Sequence, residues 1–258
     1  MHAELTLSIS TLIAFVLVLG RMLGVFVFVP LPVKDAGPSM PRIILALACA
    51  IALFPRWPVL NGFEFTFGQM VAWLISELGI GICIGLLIGF IAESITLGAQ
   101  ILSLQGGYAY ASVVDPTTQA DSDVLPVLAQ MMAGLLFFTT GLHRFVIKAF
   151  ADSLDAYPPG QFTLNRNLAE IVFHFGATVF SVGLRLAFPL IGLLLMTDLA
   201  LALLGRISSQ LHLSSHAFPA KMLLTLLTLG ALLVAVPPLY QAIATSVFTQ
   251  LRQLFALR

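Results

Sequence analysis

The sequence predicts an all-α, multi-helix protein that is part of a membrane or of a membrane complex. The chain of 258 residues is 59% hydrophobic and only 9% charged, whereas a soluble globular domain is nearer a quarter charged. Its mean hydropathy is +1.01, and its apolar stretches reach the roughly 20 residues that a membrane-spanning helix needs. Such stretches are expected to be helices, because backbone groups in lipid must be hydrogen-bonded internally.

Charge and cysteine content exclude other classes of protein. The net charge is zero, so the chain offers no basic face for nucleic acid. The two cysteines, Cys49 and Cys83, lie in apolar runs and are expected to be buried as small hydrophobic side chains. The first apolar run has no basic region before it and no small-residue cleavage site, which favours a retained helix over a signal peptide.

The three apolar stretches before residue 105 differ in length. Residues 5–30 are long enough to span a bilayer, but Arg21 interrupts them and requires a partner or water. Residues 43–54 are short for a span and more typical of a packed or re-entrant helix. Residues 65–104 contain no proline. As one helix they would run roughly 60 Å, so they must tilt, break at a glycine or leave the membrane.

A row of glycines marks the centre of this long stretch. Gly81, Gly85 and Gly89 form a doubled GxxxG pattern, which lets the backbone of a neighbouring helix approach closely. We therefore predict a helix-packing surface, at which alanine in place of Gly85 is tolerated and leucine is not. Glu77 and Glu93 continue the four-residue spacing and are expected to pair between helices rather than to carry protons.

Residues 105–126 form the longest polar interruption of the sequence. Gly106 and Gly107 are expected to end the preceding helix, and Asp115-Pro116 is typical of a turn. No lipid-facing loop is stable at membrane depth, so the segment lies in water, in protein or along a wet cavity. Two readings remain open: a solvated connecting loop, or a mobile segment that lines or closes a path.

The remaining chain is predicted to contain one further span and a helical hairpin. Residues 124–150 have the length of a spanning helix that ends near Gly141, and a break follows at 157–160. From residue 161 onward we expect two long helices. In the first of them Pro189 should cause a kink.

Two charges interrupt the apolar sequence of this hairpin, and a proline pair should divide its second helix. Arg185 and Asp198 are embedded in apolar sequence, where charged partners are expected. Unpaired, each would cost about 2.5–3.5 kcal/mol on insertion scales. The last apolar segment should be kinked or split at Pro237-Pro238.

Residues typical of catalysis are absent from the sequence. No glycine loop with its lysine is present to hold phosphate. His212 and His216 lack the glutamate of a zinc-protease motif, and Ser94 and Ser103 lack the glycines of a hydrolase elbow. We therefore predict a protein without enzymatic activity, metal or cofactor.

Three groups of residues form a distinctive combination of short motifs. The first group is Gln105-x-Gly107, Val114-Asp115-Pro116 and Val124-Leu125-Pro126. The second is Phe137-Phe138, Gly141-x-His143, Ser153 and Pro158-x-Gly160. The third is Leu203-Leu204-x-Arg206, Gln210-Leu211 and Phe218-Pro219. Together they are similar to motifs of the FliR family of flagellar export-gate proteins, which is related to the T component of virulence type III secretion systems. Asp123 and Ser209 stand where the family usually has proline.

The resemblance implies a single chain assembled with copies of FliP and FliQ into a hollow export gate for unfolded flagellar proteins. It implies a FliP-like part over residues 1–160 and a FliQ-like helix hairpin over 161–258. FlhB at the base of the gate, FlhA at its energised entrance, and a place in the flagellar basal body of the bacterial inner membrane also follow. The turn with Arg206 and Gln210 would face the cytoplasmic entrance. The counterpart of the polar segment acts as a plug, which here would include Gly106, Gly107, Tyr108, Tyr110, Asp115, Pro116, Thr117 and Thr118.

Two other functions are weighed against this one. A secondary transporter would use Glu77, Glu93, Arg185 and Asp198 as relay groups, and it usually shows an internal repeat, which is not visible. A membrane enzyme that handles lipid or isoprenoid would need clustered polar catalytic groups.

Overall fold

The fold consists of α-helices. The computed structural model describes residues 8–31, 40–60, 66–108, 124–158, 166–207 and 213–255. These ranges contain one short 3-10 turn, Phe54–Arg56, and no strand, so the prediction of an all-α protein is confirmed. Their eight helices are α1 (Ile9–Phe28), α2 (Met40–Ala52), α3 (Phe67–Gly106), α4 (Val124–Thr139), α5 (Leu142–Ala156), α6 (Arg166–Ile207), α7 (Leu213–Leu232) and α8 (Val236–Phe255).

Helix α3 is unbroken over 40 residues and ends as the sequence predicts. Gly107 has a left-handed backbone with φ 84. The amide of Tyr108 donates to the carbonyl of Ser103 at 3.0 Å, and the amide of Gly107 donates to the carbonyl of Leu104 at 3.4 Å. These two bonds form a Schellman motif, which satisfies carbonyls that the helix end leaves free and favours glycine at the left-handed position.

The prediction of one helix over residues 124–150 is wrong. Helix α4 ends at Thr139 and α5 begins at Leu142. Gly141 lies between them with φ 76, and its carbonyl accepts from the amide of Arg144 at 3.1 Å. A left-handed residue cannot continue an α-helix, so the glycine that we expected near a helix end separates two helices.

The carboxyl-terminal part contains three helices. Helix α6 is continuous over 42 residues with Pro189 inside it, and the kink expected there stays a prediction. Residues 233–235 separate α7 from α8, directly before Pro237-Pro238, so the predicted split is confirmed. Proline is tolerated in the first turn of a helix, where its missing N–H is not needed.

The described residues belong to two compact units, and each unit combines early and late parts of the chain. The first unit is drawn from Met1–Gly89, Phe137–Phe175 and Ala244–Arg258, and the second from Phe90–Leu136 and Gly176–Ile243. A core of Ala14, Leu17 and Leu60 lies in the first unit. In the second, Leu102 packs with Ala187, Leu190 and Leu194 of α6. These units are not the two parts predicted from the family resemblance, a FliP-like part over residues 1–160 and a FliQ-like hairpin over 161–258. That division stays a prediction.

Three described helices, α1, α3 and α6, are long and apolar enough to cross a membrane. The number rises to five if the α4–α5 and α7–α8 pairs each count as one span. The three helices differ in how far they are buried. In the most apolar 18-residue segments of α1 and α3, 56% and 50% of the residues are buried, but in that of α6 only 17% are buried. Few residues in the most apolar part of α6 are therefore buried by the parts of the chain that the structure describes.

Candidate functional site

A buried arginine joins three helices of the first unit. Arg21 of α1 is 0% exposed, and its Nε donates to Oε2 of Glu77 on α3 at 2.5 Å. Its Nη1 donates to the carbonyl and the hydroxyl of Ser153 at 2.7 and 3.2 Å, and its Nη2 donates to the carbonyl of Tyr157 at 2.8 Å. All three nitrogens of the guanidinium therefore donate to acceptors of this chain.

The position of Arg21 also suits the end of α5. Ser153 and Tyr157 lie in the last turn and at the carboxyl cap of this helix. The helix dipole is negative there, so a cation is stabilised, and the Ser153 carbonyl accepts from Arg21 in addition to the amide of Tyr157. Arg42 has a similar role at the end of α1, where its Nη1 donates to the carbonyls of Phe26, at 3.3 Å, and Val27. Sequence analysis missed Arg42, although a cation near a helix end is a usable signal.

The glycine row of α3 lies directly against the backbone of α1. An added Cβ would lie 2.0 Å from the carbonyl oxygen of Arg21 at Gly81 and 2.5 Å from that of Val25 at Gly85. At Gly89 it would lie 2.8 Å from the carbonyl oxygen of Phe28. These distances disagree with the expectation that alanine is tolerated at Gly85, because even a methyl group would overlap backbone atoms.

The root of the polar segment, which we define as Ser103–Tyr108, is attached to α7 in the second unit. A Cβ at Gly106 would lie 2.4 Å from Oγ1 of Thr225, so the two helices are in close contact. The hydroxyl of Tyr108 donates to the carbonyl of Met222 at 2.8 Å. Of the residues predicted for a plug, Gly106, Gly107 and Tyr108 thus form the end of α3. Tyr110, Asp115, Pro116, Thr117 and Thr118 lie outside the described residues.

The carboxyl-terminal charges have different surroundings. Asp198 of α6 forms an ion pair with Lys221 of α7, and both side chains are partly exposed. Sequence analysis did not select Lys221 as the partner. Arg206 is exposed in the last turn of α6, and Gln210 lies outside the described ranges.

Glu93 and Arg185 were expected to pair with charged partners, and this stays a prediction. Both side chains are exposed. Neither has an ion pair or hydrogen bond to the part of the chain that the structure describes. The reason is helical geometry: Arg185 lies on the face of α6 opposite to Gly183 and Ala187, which are buried.

The second unit also contains a small apolar cleft. It is lined by residues of α3, α4 and α6 to α8, among them Leu102, Ala129, Met132, Leu186 and Leu229. No charged residue lines it, so it offers no groups for acid–base chemistry. Within the described ranges no three His, Cys, Asp or Glu side chains lie together as a metal site would require.

Comparison with known proteins agrees with this architecture. The family described as bacterial export proteins, family 1, matches residues 12–247. The flagellar biosynthetic protein FliR of Escherichia coli (strain K12) is 29% identical over 92% of this chain and 90% of its own length.

Two further relatives carry the same name. FliR of Pectobacterium carotovorum subsp. carotovorum is 32% identical over 88% of this chain and 87% of its own length. FliR of Bacillus subtilis (strain 168) is 23% identical over 84% of both chains. The motifs found in the sequence and the match over nearly the whole chain agree, and the chain therefore belongs to family 1 of the bacterial export proteins, the family of FliR.

Proposed function

We propose that this chain, as a FliR-family component of the flagellar export apparatus, is a non-enzymatic core subunit of the type III export gate. With FliP and FliQ it forms the pore through which unfolded flagellar proteins leave the cell. The observation that carries the proposal is the poor coverage of a very long apolar helix. Helix α6 runs 42 residues, yet its most apolar window is only 17% buried.

The length of the helices supports assembly with other proteins. Helices of 40 and 42 residues extend about 60 Å and 63 Å at 1.5 Å per residue, roughly twice the hydrocarbon core of a bilayer. Lipid tails cannot cover such helices from end to end unless the helices tilt strongly. Apolar helices of neighbouring subunits can cover them, as expected for a subunit of a large hetero-oligomer.

Family membership supports the proposed partners and location. FliP and FliQ supply neighbouring helices, FlhB surrounds the base of the gate, and FlhA forms its energised entrance. The complex lies in the bacterial inner membrane, in the basal body of the flagellum. The turn that begins after Arg206 faces the cytoplasmic entrance in this arrangement.

We further propose that the polar segment after the root plugs the resting pore. The segment carries Asp115, Asp121 and Asp123 and no positive charge. A closed gate must stop ions and still open at low energetic cost. A loop held by a few hydrogen bonds, each worth about 0.5–1.5 kcal/mol net, meets both needs better than a packed helix. Attachment of the root to α7 gives such a plug a fixed starting point.

Co-purification tests the proposed assembly. The chain is expressed with FliP and FliQ of the same genome and extracted in a mild detergent. We expect one complex that contains all three proteins, and degradation or aggregation of the chain when it is expressed alone. A stable, monodisperse chain without partners would contradict the proposal and favour a transporter.

Deletion within the polar segment tests the plug. Because Tyr108 bonds to α7, the deletion should remove residues 110–118 and keep Gly107 and Tyr108. Assembly should be unchanged, while leakage of small solutes rises by more than export falls. An assembled gate that stays tight without these residues would leave the solvated loop as the correct interpretation.

The secondary transporter receives no support from the surroundings of its relay groups. Glu77 is held by Arg21, and Asp198 is paired with Lys221. Glu93 and Arg185 are exposed on the chain. A relay requires groups that share one polar path, whereas each of these has a separate environment.

A further inference from the structure

We propose that Arg185 and Glu93 are inter-subunit ion-pairing positions. Arg185 pairs with a carboxylate on a helix of a neighbouring subunit, and Glu93 pairs with a basic side chain of a neighbouring subunit. This inference rests on the proposed function, because it requires other helical membrane proteins around this chain. It goes further by stating which residues face them and what charge each partner carries.

The first argument is the sorting of charges in the apolar helices. Arg21 is paired with Glu77, and Asp198 is paired with Lys221, so these charges are satisfied within the chain. Arg185 and Glu93 are embedded in equally apolar sequence but have no partner in the parts of the chain that are described. Charges in such helices almost always pair or face a wet cavity. We infer that neighbouring subunits supply the counter-charges that the described residues lack.

The second argument is the distance to water. Arg185 lies about 28 Å from the start of α6 and about 33 Å from its end, at 1.5 Å per residue. Glu93 lies about 20 Å from the nearer end of α3. Long side chains reach the interface only from positions near helix ends. A hydrocarbon core of about 30 Å centred on α6 would place Arg185 beyond this reach, which argues against a surface that lipid tails cover, whereas Glu93 would lie nearer the edge of such a core.

The third argument is the surface around Arg185. Phe188, Met196 and Leu199 are 73%, 69% and 56% exposed, and at about 100° per residue they lie within about 60° of Arg185 around α6. Arginine surrounded by aromatic and aliphatic side chains is typical of the centre of a protein interface. Positions 185, 188, 196 and 199 form one stripe along α6, which suits the groove of another helix. We therefore assign a partner helix with one carboxylate to this surface.

Substitutions at Arg185 separate charge pairing from other roles. The complex with FliP and FliQ is purified with Arg185→Lys, Arg185→Met or Arg185→Glu in the full chain. The measured quantity is the amount of FliP and FliQ that co-purifies with the chain. We expect this amount to stay within about twofold of the original for Arg185→Lys, to fall severalfold for Arg185→Met, and to fall at least tenfold for Arg185→Glu. A tenfold loss of retention corresponds to about 1.4 kcal/mol of binding free energy.

The control is Lys148→Glu, which reverses an exposed charge on α5 and should leave partner retention unchanged. The amount of each variant in the membrane is measured as well, since a loss of the chain itself would lower recovery for another reason. Glu93→Gln should lower the retention of FliP and FliQ, and Glu93→Lys should lower it further.

The outcomes distinguish this inference from the proposed function. If the original chain does not retain FliP and FliQ, the proposed function fails. If the original chain retains FliP and FliQ, and the Arg185→Met or Arg185→Glu variant retains them equally well, the proposed function stands and the ion pair is overturned. If Arg185→Met releases bound phospholipid and leaves the partner proteins in place, the arginine binds a lipid headgroup, which also overturns it.

A charge-swap screen identifies the partner residue. Each Asp and Glu in the helices of FliP and FliQ is changed to Lys in the presence of Arg185→Glu. Restored assembly by one such change supports the pair. A complete screen without any restoring change, in a complex that Arg185→Glu disrupts, would overturn it.

Discussion

Adding one methyl group at a time along α3 should measure how closely this helix contacts α1. The series Gly81→Ala, Gly85→Ala and Gly89→Ala places a Cβ 2.0, 2.5 and 2.8 Å from carbonyl oxygens of α1. Ordinary van der Waals contact begins at 3.4 Å, so the overlap decreases from about 1.4 to about 0.6 Å along the series. The contacting atoms belong to the backbone and cannot rotate away.

The expected magnitudes follow from two opposing terms. Alanine in place of glycine stabilises an unconstrained helix by about 1 kcal/mol. Overpacking typically costs about 1–3 kcal/mol, and an overlap with backbone lies at the upper end. We expect Gly81→Ala to cost about 2 kcal/mol net and Gly89→Ala less than this, with Gly85→Ala between them. At about 2–4 °C per kcal/mol for a chain of this size, the melting temperature should decrease by up to about 8 °C.

The assay is heat-induced loss of the assembled complex in detergent, followed by size-exclusion chromatography. Gly79→Ala and Gly68→Ala on the same helix are matched controls, because an added Cβ there meets nothing within 4 Å. They should be neutral or slightly stabilising. If the complex with Gly81→Ala has the same melting temperature as the complexes with the control variants, α1 and α3 do not touch at the glycine row and the reasoning is refuted.

Two further predictions concern the other helix junctions. Arg21→Met should cost about 3–5 kcal/mol, because it leaves the Glu77 carboxylate buried without a partner. The double variant with Glu77→Leu should recover part of this in the same melting assay, and a double variant as unstable as the single one would contradict the ion pair. Gly106→Ala should lower the melting temperature because its Cβ overlaps Oγ1 of Thr225, and Thr225→Ala in the same chain should relieve most of the loss. Absence of any relief would show that the two helices are not in contact there.

Features with a local cause were the easiest to predict from the sequence. Gly106 and Gly107 end α3 because only glycine adopts the left-handed cap at low cost, and this depends on neighbours in the chain. The split before Pro237-Pro238 has a similarly local origin. The break at Gly141 was missed, because glycine is also common inside membrane helices and the apolar sequence continues on both sides. The sequence alone does not tell which glycines adopt a positive φ.

The partners of the embedded charges depend on long-range packing, and here prediction from the sequence reached its limit. Arg21 and Glu77 are 56 residues apart, and the Ser153 carbonyl is 132 residues from Arg21. Nothing local indicates which charge meets which. The same hydropathy pattern surrounds Arg21, which is fully buried, and Arg185, which is exposed.

This difference between Arg21 and Arg185 gives the two arginines different physical roles. A pair inside the chain forms as the chain folds, so its loss should lower the amount of folded protein whether or not partners are present. A charge on an uncovered apolar helix has no counter-charge until another subunit arrives, so it opposes the stability of the lone chain and favours the complex. Variants of Arg21 should therefore fail before assembly. Arg185→Met should make the lone chain more persistent in the membrane and weaken the complex, a pair of opposite effects that no purely structural role within the chain produces.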